Sequence, residues 1–159
     1  MVTIKIGVIP AAGRGERMLP LTRAMPKEMV IVDGKPFIQY VVDGMVAAGV
    51  KTIYIITGWR KHSVLDYFGS GEKFGVDISY LIQDDMLGLA DAIGRARNFV
   101  DEPFVVGLGD DIFYPTSCVK DVTDFHEKKN PAATLSIEDV PKSEVEKYGI
   151  VKVDKNNKV

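Results

Sequence analysis

Arg17, Lys27 and the adjacent pair Asp110-Asp111 carry the strongest chemical signal in this sequence. The two cations lie within one stretch, Pro10 to Glu28, that is rich in small residues. Ala11, Ala12, Gly13 and Gly15 leave little side chain between the backbone and an approaching ligand. Exposed N–H groups in such a loop suit phosphate oxygens. Arg17 can fork onto two of those oxygens, Lys27 acts as a point charge, and Arg14 and Arg23 are further cationic candidates. The acids follow an apolar run and Gly109. Carboxylates at the carboxyl end of a central strand sit where open α/β sheets bind ligands, a position that suits Mg2+. Successive residues on an extended chain point opposite ways, so one of the two acids is expected to reach a metal.

Two familiar phosphate loops do not fit. The dinucleotide fingerprint finds Gly13 and Gly15 but meets Met18 where its third glycine belongs, which disfavours a dehydrogenase. A Gly-Lys-Ser/Thr run after four spacers does not occur. On spacing alone, an ordinary surface loop and a phosphate site are equally open.

The run Ala12-Gly13-x-Gly15-x-Arg17-x-Leu19-Pro20-Leu21-Thr22, then Pro26-Lys27-Glu28-Met29, then Lys35-Pro36-x-Ile38-Gln39-Tyr40-Val41-Val42, resembles the sugar-1-phosphate nucleotidyltransferases. The later pieces point to the uridylyl branch, which uses UTP and glucose-1-phosphate. Glu16 departs from that pattern, which usually has Thr or Ser there. A carboxylate in a triphosphate loop is awkward unless it points away or pairs with an arginine. The resemblance implies a Rossmann-like α/β architecture of the glycosyltransferase-A type. It also implies attack by a sugar-1-phosphate oxygen on the α-phosphorus of a nucleoside triphosphate, with pyrophosphate leaving. Arg17 would lie at the triphosphate, Lys27 near the α-phosphate, and Asp110 would be the Mg2+ ligand, with Asp111 a turn or supporting residue. Gln83, Leu87 and Gly88 resemble the base-reading segment, Ala11 and Ala12 would add main-chain contacts, and Tyr148-Gly149 resembles the segment that meets the sugar hydroxyls. A primary amide can donate and accept at once, which matches the edge of uracil or thymine. UTP and dTTP both remain open, as does the hexose.

Composition sets the frame. The chain has 159 residues, 46% hydrophobic and 26% charged, which describes a soluble globular domain with a real core. A net charge of −2 gives no basic field for nucleic acid. The lone Cys118 reads as a buried thiol. No signal peptide or membrane span is expected, and the cytoplasm is the expected compartment.

Periodicity predicts strands at Ile4–Ile9, Thr52–Thr57, Asp77–Ile82, Phe104–Leu108, Ala132–Ile137 and Gly149–Val153. Helices are predicted after Pro36, at His62–Phe68, at Leu89–Phe99 and at Thr116–Lys129. Strand–helix alternation predicts a mainly parallel sheet with helices on both faces. Asp154-Lys155-Asn156-Asn157 reads as a hairpin turn followed by only Lys158 and Val159. The expectation is therefore the nucleotide-binding front portion, residues 1–159, of a longer chain. The family's second metal carboxylate and its remaining sugar contacts would then lie beyond Val159, metal binding by this piece alone would be poor, and oligomerisation would belong to the longer chain. The competing reading is a nucleotide-binding or regulatory domain that turns nothing over.

Overall fold

The structure is a computed structural model that describes residues 3–155 and 158–159. The chain enters β1 (Ile6–Ala11), passes three short 3-10 turns, and forms a small antiparallel hairpin of β2 (Ile31–Val32) and β3 (Lys35–Pro36). It continues through α1 (Phe37–Ala47), β4 (Thr52–Thr57), α2 (His62–Phe68), β5 (Asp77–Ile82), α3 (Leu89–Gly94), β6 (Phe104–Val106) and α4 (Cys118–Lys129). Four strands make one parallel sheet in the order β5-β4-β1-β6.

The sheet is covered on both sides because its strands are apolar on both. Ile9, Ala11, Ile53 and Ile55 face a core built with α1, α2 and α4, while Val8 and Ile56 face Ala92 and Ala96 on the α3 segment. Ile38, Val41, Val42 and Met45 are fully buried, as their spacing on α1 predicts. Each such side chain contributes about 1.5–3 kcal/mol of transfer free energy. Pro36 precedes α1 as its N-cap.

Several boundaries differ from expectation. β1 begins and ends two residues late, because Pro10 and Ala11 still pair with Ile56 and Thr57. Its interior proline is tolerated: the β1–β6 ladder stops at Val8, so no strand partner loses a donor. The third helix turns from α-helix into a 3-10 turn at Arg95–Asn98, just after Gly94, a residue that weakens helices. Phe99 is exposed and Val100 packs in its place. The last helix starts at Cys118, and Cys118 itself is half-buried rather than buried.

Two expected strands are absent. Residues 132–137 and 149–153 form no ladder, and Leu135, Ile137 and Ile150 are exposed. An apolar, β-branched run becomes a strand only where a neighbour accepts its hydrogen bonds. Neither segment finds such a neighbour among the described residues. The first lies along α4 instead, through Thr134 Oγ1 at 3.0 Å from His126 Nδ1 and Ser136 Oγ at 3.6 Å from Cys118 Sγ. Of the predicted turn, Asn156 and Asn157 lie outside the described residues. Asp154 N–H donates to the Lys158 carbonyl, and Lys158 N–H to Asp154 Oδ1, both at 2.9 Å. Among the described residues no helix is long and apolar enough to cross a membrane.

Candidate functional site

Strand order fixes where a ligand can enter. From β1 the chain builds outward through β4 to β5, then crosses to β6 on the other side of β1. The crevice outside the carboxyl ends of β1 and β6 is the switch point at which open α/β sheets bind ligands. The Ala12–Val30 loop leaves β1 there, and Gly107–Asp111 leaves β6 there.

The loop is folded tightly on itself. Gly15 has φ +66°, and a Cβ on it would stand 2.9 Å from Thr22 Cγ2 and 3.0 Å from Lys27 Cβ, so only glycine fits. Thr22, fully buried, donates its hydroxyl to the Gly15 carbonyl at 2.8 Å. Short 3-10 turns at Glu16–Met18 and Lys27–Met29 then present the charged residues.

A cleft of about 480 Å³ results, lined by Gly13, Arg14, Gly15, Glu16, Arg17, Met18, Lys27, Met86 and Asp110. Arg17, Lys27 and Asp110 thus share one cavity. Arg17 makes no ion pair among the described residues, and neither does Glu16; both are exposed. Glu16 therefore neither pairs with an arginine nor leaves the cleft.

Lys27 is engaged. Its Nζ lies 2.5 Å from Asp110 Oδ2 and 3.9 Å from Glu28 Oε1. Glu28, 1% exposed, was not singled out from the sequence; a lone acid between Lys27 and the apolar Met29–Val32 run was the available signal. Burial pushes its carboxyl up from 4.5 to about 7, against the opposing pull of its own backbone hydrogen bond and Lys27. Its Oε2 has no partner among the described residues. Gly109 makes room for it: a Cβ there would lie 3.0 Å from Glu28 Cγ and 3.2 Å from Ala11 Cβ. Asp111 turns back, its N–H donating to the Leu108 carbonyl at 3.1 Å, and burial, then the Asp110 charge, raises its carboxyl.

The predicted base-reading residues stand beside the cleft, not in its lining. Gln83 is 4% exposed, and its amide nitrogen donates to the Gly88 carbonyl at 3.2 Å and to Asp91 Oδ2 at 2.7 Å. With both amide hydrogens spent, the expected donate-and-accept role becomes acceptance alone, through the side-chain carbonyl. Asp91 was missed in sequence; the Gln83 hydrogen bond first, then that of Arg95, holds its carboxyl below the usual range. Leu87 is exposed, and Gly88, at φ +95°, faces open space. Met86 links this segment to the cleft. Ala11 and Ala12 are buried at the end of β1. Tyr148 and Gly149 are exposed beyond the 3-10 turn Lys142–Lys147 and do not line the cleft.

Residues 6–159 match the family described as nucleotidyl transferase. A UTP–glucose-1-phosphate uridylyltransferase of Bacillus subtilis is 37% identical, over 95% of this chain and 59% of the relative. The chain thus spans about three-fifths of that relative's length. A UDP-glucose pyrophosphorylase complexed with UDP-glucose superposes with a TM-score of 0.71 at 35% identity, over 80% of this chain and 54% of that one. A protein from Bacillus anthracis, assigned as a glucose-1-phosphate thymidylyltransferase, superposes at 0.70 with 33% identity, over 79% and 50%.

Proposed function

The chain belongs to the nucleotidyl transferase family, and from that premise we propose that its protein transfers a uridylyl group from UTP to glucose-1-phosphate, giving UDP-glucose and pyrophosphate. The observation that carries this reading is the convergence of Arg17, Lys27 and Asp110 on one cleft at the sheet's switch point. A cytoplasmic setting fits a chain built to handle phosphorylated metabolites.

Both reactants are anions, so repulsion is the first obstacle. A sugar-phosphate oxygen attacks the α-phosphorus, the bond to the bridging oxygen breaks, and its electron pair leaves with pyrophosphate. Such transfers are catalysed by positioning and charge stabilisation. A charge pair at about 4 Å is worth roughly 1 kcal/mol in water and about 4 kcal/mol at an effective dielectric near 20. Arg17, unpaired among the described residues, forks onto the triphosphate, and Lys27 stands by the α-phosphate. Gln83 accepts from the pyrimidine N3–H through its carbonyl, with Leu87, Gly88, Ala11 and Ala12 bounding the base; for Tyr148 and Gly149, which stand outside the cleft, only the sequence resemblance supports a sugar contact.

Asp110 is the residue that would hold Mg2+, whose charge would neutralise the phosphates. The donor set fits an ion that arrives with the triphosphate. Among the described residues no cluster of three or more acidic, His or Cys side chains could hold a metal. Mg2+ commonly takes one or two carboxylates and completes its shell with phosphate oxygens and water.

Thymidylyl transfer is the second reading, favoured by the Bacillus anthracis neighbour. Pyrophosphate release by the full-length protein, measured with UTP, dTTP and ATP against several hexose-1-phosphates, tests both. UTP with glucose-1-phosphate is expected to turn over fastest. Preference for dTTP replaces the first reading with the second, and nucleotide binding without turnover replaces both with a binding domain.

A further inference from the structure

Glu28 lies under the cleft with 2% of its side chain exposed, and its Oε2 has no hydrogen-bond partner among the described residues. A carboxyl group is a poor choice where only volume is needed, because an amide or apolar side chain of similar shape carries less desolvation cost. The stem is wedged in place against Gly109, the backbone position that leads into Asp110. The other oxygen, Oε1, faces Lys27 at 3.9 Å. Lys27 therefore sits between two acids: one buried and fixed, the other 37% exposed and bonded at 2.5 Å.

These acids stop being equivalent once the cleft is loaded. Mg2+ sits about 2.0–2.1 Å from a carboxylate oxygen, and a lysine ammonium left on that oxygen would bring two cations together. A cation taking Oδ2, the oxygen that Lys27 now holds, would displace Lys27 from Asp110. Its flexible four-carbon stem would be free to swing into water, and the charge needed at the phosphates would go with it. We propose that Glu28 is a positioning residue for Lys27: its buried carboxylate keeps the ammonium in the cleft after a divalent cation has displaced it from Asp110. This rests on the reading of Asp110 as the metal carboxylate, and adds an acid that itself touches neither metal nor phosphate.

The exchange can be imitated without metal. Asp110→Asn removes the charge that Lys27 now pairs with, as a bound cation would. Crystals of Asp110→Asn and of Asp110→Asn/Glu28→Gln, grown above the Glu28 value of about 7, give the direct readout. In the single variant Lys27 Nζ is expected within about 3.2 Å of Glu28 Oε1. In the double variant it is expected to turn out to solvent. A Lys27 that leaves Glu28 in the single variant, or keeps its place in the double one, overturns the proposal; the single variant decides alone if the double one does not fold. In turnover, Glu28→Gln is expected to lower kcat on the order of tenfold or more while the melting temperature stays equal or rises, a split that a purely structural residue would not give. Unchanged kcat overturns the proposal as well. Absence of turnover in the wild-type protein defeats the proposed function, while the crystals still decide what holds Lys27.

Discussion

Lys27 and Asp110 meet across the sheet's switch point, Nζ 2.5 Å from Oδ2, although 83 positions separate them. The contact joins the loop after β1 to the turn after β6 and makes one cleft of two loops. Its contribution to stability is small: both side chains reach water, at 24% and 37% exposure, and such pairs contribute about 0–1 kcal/mol. What it fixes is charge placement, a cation and an acid in the lining of one cleft.

Arg17→Ala and Lys27→Ala are expected to lower kcat/KM by on the order of 10²–10³. The melting temperature should move by only a few degrees, since neither side chain belongs to the core. Steady-state pyrophosphate release beside a thermal melt checks both. Near-normal turnover in either variant removes that residue from the mechanism.

Glu28 gives stability a pH dependence of defined sign. Its carboxyl is raised from 4.5 to about 7, so between those values the folded chain keeps a proton that the unfolded chain gives up. The stabilising contribution is complete below 4.5 and is lost as pH rises to about 7. The full difference corresponds to roughly 3 kcal/mol. Glu28→Gln should therefore melt higher than wild type above pH 7, with the gap closing as pH falls toward 4.5. Melts across that range with a chelator present provide the check, and a gap independent of pH contradicts the assignment.

Glu16 places a negative charge in the lining of the cleft proposed for the triphosphate, without an ion-pair partner among the described residues. Glu16→Thr should tighten triphosphate binding about two- to fivefold, the effect of one unit charge some 8 Å away in a largely aqueous medium. The gain should shrink as salt is added. Calorimetric titration at two ionic strengths measures it; weaker binding in the variant would mean that Glu16 contacts the ligand favourably.

Gly109→Ala should destabilise the fold by about 1–3 kcal/mol. The new Cβ would press on Glu28 Cγ at 3.0 Å, Ala11 Cβ at 3.2 Å and the Pro10 carbonyl oxygen at 3.3 Å, two of them on a strand that cannot yield. Denaturant melts give the magnitude, and wild-type stability would show that Glu28 is free to move.

The sequence made legible what is local. The alternation of apolar runs and amphipathic stretches located the four paired strands of the main sheet and the four α-helices found among the described residues, and the small-residue loop with its cations is visible in the order of residues alone. What it concealed depends on partners far along the chain. Residues 132–137 and 149–153 have strand composition, yet a strand requires a neighbour, and composition does not say whether one is there. Glu28 looks like a polar residue beside a lysine until the fold buries it behind Gly109. Gln83 keeps its identity as a hydrogen-bonding residue, but Asp91 and Gly88 decide that only its oxygen is left to accept.

Backbone amide NMR of this chain during titration with UTP and Mg2+ tests the central claim most directly, because it reports on every loop at once and tolerates weak binding. Resonances of Gly13, Gly15, Arg17, Lys27 and Asp110 are expected to shift together, with Gln83 and Gly88 following, and Lys27→Ala should suppress the whole set. Shifts confined to other surfaces, such as the hollow between Ile4 and His126, would contradict the account.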